Sequence, residues 1–127
     1  MKPKILSWNI RGLNDSNKRL CIKTLLRMWK GDVVCLQETK LRLLDRNIVC
    51  SLWGCSHVGW SYLTSLGASG GVLLMWDKRV VEAIEECVDE FSVSILFKNV
   101  SDGWEWAFVG CYGPNKDSDR RRLWEEL

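Results

Sequence analysis

Three apolar runs in this chain each finish on polar side chains. ILSW, residues 5–8, is followed by Asn9; VVCL, residues 33–36, by Gln37 and Glu38; and WAFVGC, residues 106–111, by Tyr112 and then Asn115. Asparagine is a poor strand former, and an amide buried without a partner costs about 1–3 kcal/mol. A carboxylate, amides and a phenol at strand ends suggest a polar site along one rim of a sheet. Each residue also has a plainer reading on its own. Asn9 suits a turn, Glu38 a solvated carboxylate beside Lys40, Tyr112 a core position, and Gly113-Pro114-Asn115 a β-turn. The pattern locates a site without identifying a reaction.

The elements that must position these residues follow from periodicity. Residues 4–9 read as a first strand. Asn14-Asp15-Ser16 offers helix N-caps, because each side chain can accept a bond from a free amide one turn in. Leu20, Cys21, Thr24, Leu25, Met28 and Trp29 then recur at helical spacing, with Gly31 as the expected stop. Val33 to Leu36 are continuous rather than alternating, which suits a strand covered on both faces. Strand, helix and strand within about 35 residues make a β-α-β unit.

A second helix is expected over 41–53, from Leu44, Ile48 and Leu52, and a short aromatic strand from His57 to Tyr62. TSLGASGG then leads into a strand from Val72 to Trp76. Two further strands, Ser92 to Lys98 and Glu105 to Tyr112, flank Asp102-Gly103, a strong hairpin signal. DSDRRRLWEEL closes the sequence as a helix capped by Asp117 or Ser118. An early β-α-β unit with later hairpins predicts an α/β fold with a mixed sheet.

The chain has 127 residues, 46% of them hydrophobic and 27% charged, as expected of one globular domain. A net charge of +2 neither demands nor excludes a polyanion, since charge can be local. No apolar run approaches a membrane span, so no membrane partner is expected. The stretch after Met1-Lys2-Pro3-Lys4 soon reaches Asn9 and Arg11 and does not read as a signal peptide, so a nuclear or cytoplasmic rather than secreted chain is expected. The six cysteines are scattered and read as reduced thiols, with Cys35 and Cys111 in the core. Cys50, Cys55 and His57 lack the second half of a zinc site. Trp8, Trp29 and Trp76 lie in apolar patterns and are assigned to the core. Arg120-Arg121-Arg122 reads as a wet helix face.

Taken in order, SWNIRGL at 7–13, LQETK at 36–40, GASGGVLL at 67–74 and CYGPN at 111–115 resemble one family. It is the exonuclease–endonuclease–phosphatase superfamily of metal-dependent phosphodiesterases. The wording is most similar to the endonuclease domain of plant LINE-type (non-LTR) retrotransposons. Each motif alone is a few residues; four in order over nearly the whole chain carry the resemblance. It implies Mg²⁺, or Mn²⁺, held by Glu38, with Asn9 orienting Glu38 or a metal-bound water. It implies Tyr112 and Asn115 as catalytic residues, Tyr112 hydrogen-bonding the scissile phosphate or the attacking group and Asn115 donating to a phosphate oxygen, and DNA as partner. Arg11, Lys18 and Lys40 then read as contacts to the DNA backbone or as solvated rim cations, and Ser69 as part of the nucleic-acid face or of a tight strand start.

The same resemblance implies a truncated domain over 1–127, the N-terminal half of a four-layer α/β/β/α sandwich. The family's later G-D-x-N and S-D-H motifs are not in this sequence, and His57 does not replace the family's catalytic histidine. Half a sandwich would leave its inner sheet face without an apolar partner, so self-association or completion by a C-terminal half is expected. Activity of the chain alone is then not expected. Two other readings stay open: a non-catalytic retrotransposon relic that binds nucleic acid, and a phosphatase of the same superfamily.

Overall fold

Strand β1 (Ile5–Asn9) and strand β2 (Val33–Gln37) run parallel, joined by helix α1 (Ser16–Trp29), so the predicted β-α-β unit is present. The computed structural model describes residues 2–13, 15–41, 43–54, 56–64 and 70–111. Asp15 is the N-cap of α1 and accepts a hydrogen bond from the Asn17 N–H at 2.8 Å. Ile22 and Leu26 form the buried stripe of the helix. Lys30, not Gly31, takes the left-handed C-cap conformation, with its N–H donating to the Leu26 carbonyl. A lysine there costs roughly 1–2 kcal/mol of backbone strain.

Helix α2 (Arg46–Leu52) begins five residues later than the periodicity suggested. Asp45 caps it, accepting from the Ile48 N–H at 2.9 Å, while Leu41 and Leu44 are buried in the loop that precedes it. Strands β3 (Val58–Leu63), β4 (Val72–Asp77), β5 (Val81–Val88), β6 (Ser92–Asn99) and β7 (Glu105–Cys111) follow. They build a four-stranded mixed sheet in the order β1-β2-β4-β3 and a three-stranded antiparallel sheet in the order β5-β6-β7. The Asp102-Gly103 hairpin joins β6 to β7, as expected, and the Trp104 N–H holds the exposed Asp102 carboxyl below its ordinary value.

β5 was not legible in the sequence. Its residues VEAIEECV interleave carboxylates with apolar residues, and a register shift between Ala83 and Glu85 breaks the alternation. All of it but Val81 is exposed. Charge along a sheet edge is how proteins discourage edge-to-edge pairing.

The layers divide the core in two. Val34, Leu36, Leu73 and Met75 on the outer face of the first sheet pack against Ile22 and Leu26 of α1 and Val49 and Leu52 of α2. Val33, Cys35, Val72, Leu74 and Trp76 on the other face pack against Val81, Val93, Ile95 and Phe97 of the second sheet. β2 is therefore covered on both faces, which explains its unbroken apolar run. The expectation of a bare inner sheet face is corrected here: this stretch of chain supplies both sheets, and the second covers the first. Gly110 permits the approach, since a Cβ there would sit 2.9 Å from Val72 Cγ1 and 3.3 Å from Cys35 Sγ. Instead, the face of β6 and β7 carrying Leu96, Ala107 and Val109 has no helix over it among the described residues. Trp29 also departs from expectation. It is 51% exposed and only leans on Trp8, ring centroids 6.3 Å apart, whereas Trp76 is buried.

Cys35 gives the inter-sheet core a pH signature. Burial pushes its thiol up to about 11 from an ordinary 9.0, outweighing the opposing hydrogen bond with Ser7. The unfolded chain loses that proton first, so stability contributed by the buried thiol is intact below pH 9 and falls as pH rises toward 11. The full loss is roughly 3 kcal/mol. Urea midpoints at pH 8 and pH 10.5 measure it, and Cys35→Ala is expected to flatten the difference.

Candidate functional site

β1 and β2 end side by side. Their parallel register pairs Asn9 with Gln37, so Glu38 leaves the adjacent strand next to the end of β1. The loops beyond are locked to one another by backbone bonds. Gln37, Glu38 and Thr39 carbonyls accept from the N–H groups of Ile10, Gly12 and Leu13 at 3.0, 2.7 and 2.9 Å. Thr39 and Lys40 N–H groups donate in turn to the carbonyls of Gly71 and Gly70 at 3.2 and 2.8 Å. Three chain segments, SWNIRGL, LQETK and the glycine pair before β4, thus form one interlaced rim.

The backbone there is unusual. Arg11, Glu38 and Lys40 have φ of 54°, 55° and 56°, and Gly12, Gly70 and Gly71 are also positive. Non-glycine residues in this region cost of order 1–3 kcal/mol each and persist only where surroundings over-determine them. Such outliers cluster at functional sites, so the strain points to the same rim as the polar residues do. Gly71 is required twice over. Its φ is +95°, and a Cβ would run into Thr39 Oγ1. Thr39 is itself buried, an interior hydroxyl directly behind Glu38.

Asn9 is exposed, and its Oδ1 accepts from the Arg11 N–H at 3.2 Å, which fixes the amide and leaves its NH₂ to donate. Glu38 and Lys40 are half-buried, and Arg11 is exposed. Lys18 lies in the first turn of α1, which starts just beyond this loop. Gln37, which sequence reasoning did not single out as a site residue, ties the sheets together. Its Nε2 donates to the Cys111 carbonyl at 3.4 Å, so β7 also ends at this rim. Tyr112, Asn115 and Ser69 lie outside the described residues, as do Asp117, Ser118 and Arg120 to Arg122.

The donor set limits which cation fits. Among the described residues no three His, Cys, Asp or Glu side chains come together, so a site of the zinc type is absent from them. His57 is exposed, next to β3 and away from the rim. Mg²⁺ retains several waters and needs only one or two carboxylates. Glu38, held by its own backbone at the edge of solvent, matches that requirement.

Solved structures that share this fold include an AP endonuclease and TDP2. The AP endonuclease LMAP from Leishmania major superposes with a TM-score of 0.67 at 20% identity, over 95% of this chain and 43% of that one. D. rerio TDP2, complexed with a single strand DNA product, gives 0.61 at 19% identity, over 98% and 52%. The architecture is accordingly α/β, a partial α/β/β/α sandwich. By sequence the chain belongs to the endonuclease/exonuclease/phosphatase family, whose model matches residues 6–127. An exodeoxyribonuclease of Bacillus subtilis (strain 168) is 31% identical over 133 aligned positions, 97% of this chain and 49% of that protein. DNA-(apurinic or apyrimidinic site) endonuclease 2 of Xenopus laevis is 33% identical over 112, which is 87% of this chain and 19% of that protein. The chain thus spans about half the length of the first relative and a fifth of the second.

Proposed function

We propose that this chain is the N-terminal part of a Mg²⁺-dependent DNA endonuclease of the LINE-type retrotransposon branch, truncated over 1–127 and completed by a second segment. The observation that carries the reading is the interlaced rim, where Asn9 and Glu38 emerge from adjacent parallel strand ends. Membership of a family that includes DNA-hydrolysing relatives supports the substrate class. The later motifs of the family are not in this sequence, so the chain alone is expected to hydrolyse DNA poorly.

In this reading Glu38 is the carboxylate ligand, with Mg²⁺ preferred and Mn²⁺ a substitute. Bound there, the cation supplies polarisation of the phosphoryl oxygen and neutralises charge on the leaving oxygen. Asn9, its carbonyl oxygen committed to Arg11, donates its NH₂ to a Glu38 oxygen or to a metal-bound water and holds that group in one orientation. Tyr112 and Asn115 follow β7, which ends at this rim, and hydrogen-bond the scissile phosphate. Arg11, Lys18, Lys40 and Ser69 meet the DNA backbone on either side, positioning it without reading sequence. The completing segment has an edge to join: β1 is the last strand of its sheet, with no partner on one side among the described residues.

The test compares the chain with Glu38→Ala. Mn²⁺ binding, followed by electron paramagnetic resonance, reads the site even where turnover is slow, and plasmid nicking in Mg²⁺ reads the chemistry. Removing a sole carboxylate ligand is expected to cost at least about 100-fold in metal affinity, more than loss of an outer hydrogen bond does. Equal Mn²⁺ affinity and equal nicking in the two proteins would eliminate the assignment.

A further inference from the structure

The far end of the first sheet carries a second charged feature that the rim does not use. A depression of about 430 Å³ opens between the C-terminal half of α1, the end of α2 and the turn after β4. Lys23, Arg27, Lys30 and Arg79 line it, with the Trp53 ring on one side. Of its two carboxylates one is neutralised by an ion pair and the other accepts a backbone hydrogen bond, so four cations still outnumber them. Asp77 is held by Arg79 through Nε at 3.0 Å and Nη2 at 2.8 Å, and Asp32 Oδ2 accepts from the Lys4 N–H at 2.8 Å. Lys23, Arg27 and Lys30 have no ion-pair partner among the described residues.

The helix explains the alignment. Arg19, Lys23 and Arg27 are four apart, with Lys30 at the cap, so they descend one flank of α1 about 6 Å apart. Lys23 and Arg27 on that flank share the depression with Trp53 and Gly54 at the end of α2. The sequence SNKRLCIKTLLRMW contains no acidic residue, although the whole chain nearly balances 18 cations with 16 anions. One cation in the last turn is accounted for by the helix dipole. Lys23 in mid-helix is not. The flank begins beside the rim, where Arg19 Nε donates to the Leu13 carbonyl at 2.6 Å. It ends at Lys30, near the start of β2, whose other end carries Glu38; Asp32 and Glu38 flank that strand roughly 20 Å apart.

We propose that this flank is a phosphate track: a DNA strand engaged at the Glu38 rim continues down α1, and Lys23, Arg27 and Lys30 pair phosphates remote from the scissile one. The proposal rests on the endonuclease reading for its ligand. Point cations spaced like this bind backbone without base specificity, so the track sets affinity and salt dependence, not sequence choice.

The experiment uses the chain in EDTA, so that binding is measured without cleavage or metal. Fluorescence anisotropy follows a fluorescein-labelled 20-nucleotide single strand across a salt series. The triple variant Lys23→Gln, Arg27→Gln, Lys30→Gln is expected to bind at least 10-fold more weakly at low salt. Three lost phosphate contacts lower the slope of log K against log salt by about 2. Its thermal melt stays unchanged, as those side chains make no ion pair among the described residues. Unaltered affinity and slope in the triple variant, or no binding by the parent chain, overturns the proposal. So does an equal loss measured with a poly-glutamate peptide, which would make the flank an acidic-protein site. The two readings fail separately: Mn²⁺ binding reads the Glu38 rim alone and is expected to be parental in the triple variant, whereas strand binding in EDTA reads the flank.

Discussion

Replacing Gly71 with valine is expected to destabilise the fold by about 3–5 kcal/mol and to dismantle the rim. Two costs add. A φ of +95° strains any L side chain, at roughly 1–2 kcal/mol or more for a β-branched one. The new Cβ also enters the space of Thr39 Oγ1, and overpacking typically costs about 1–3 kcal/mol. Thr39 has nowhere to go: it is buried, its N–H donates to the Gly71 carbonyl, and its own carbonyl accepts from Leu13. Relief must come from shifting the segment that carries Glu38 away from Asn9. Urea denaturation measures the stability loss, and Mn²⁺ binding measures the rim. Gly71→Val is expected to lose both, whereas Glu38→Ala loses metal while melting near the parent. A valine variant with parental stability would mean that the three loops are not interlocked as described.

Phe97→Ala is the second large effect, expected at about 3–5 kcal/mol. Phe97 is fully buried between the sheets and touches both. Its ring meets Trp76 of the first sheet edge-on at 5.4 Å and Trp106 of the second at 5.0 Å. Truncation removes two aromatic contacts and leaves a cavity that neighbouring strands cannot close without breaking ladder bonds. Trp106 in turn donates from Nε1 to Asn99 Oδ1 at 2.8 Å, satisfying a buried amide at the start of the hairpin. The loss is therefore expected to unfold the hairpin end first, visible as early loss of amide protection across β6 and β7. Phe97→Leu, which keeps much of the volume, is expected to cost clearly less.

Sequence alone determined the β-α-β unit, the capped α1, the doubly covered β2, the Asp102-Gly103 turn and the polar strand ends, because local periodicity, caps and turn chemistry act over a few residues. Motif order then named the family that the comparisons show. What it did not reveal was β5, whose charges and bulge hide the period of two, and the pairing of both sheets within this stretch. Nor did it reveal that Gln37 bridges β2 to β7, or that Thr39 and Gly71 form the buried hinge of the rim. Those depend on which residues approach across long sequence separations, and on φ values that only packing imposes. Glu38 was readable as a polar strand end; its left-handed backbone beside Asn9 was decided by the tertiary structure, since only three loops bonded to one another can hold it there.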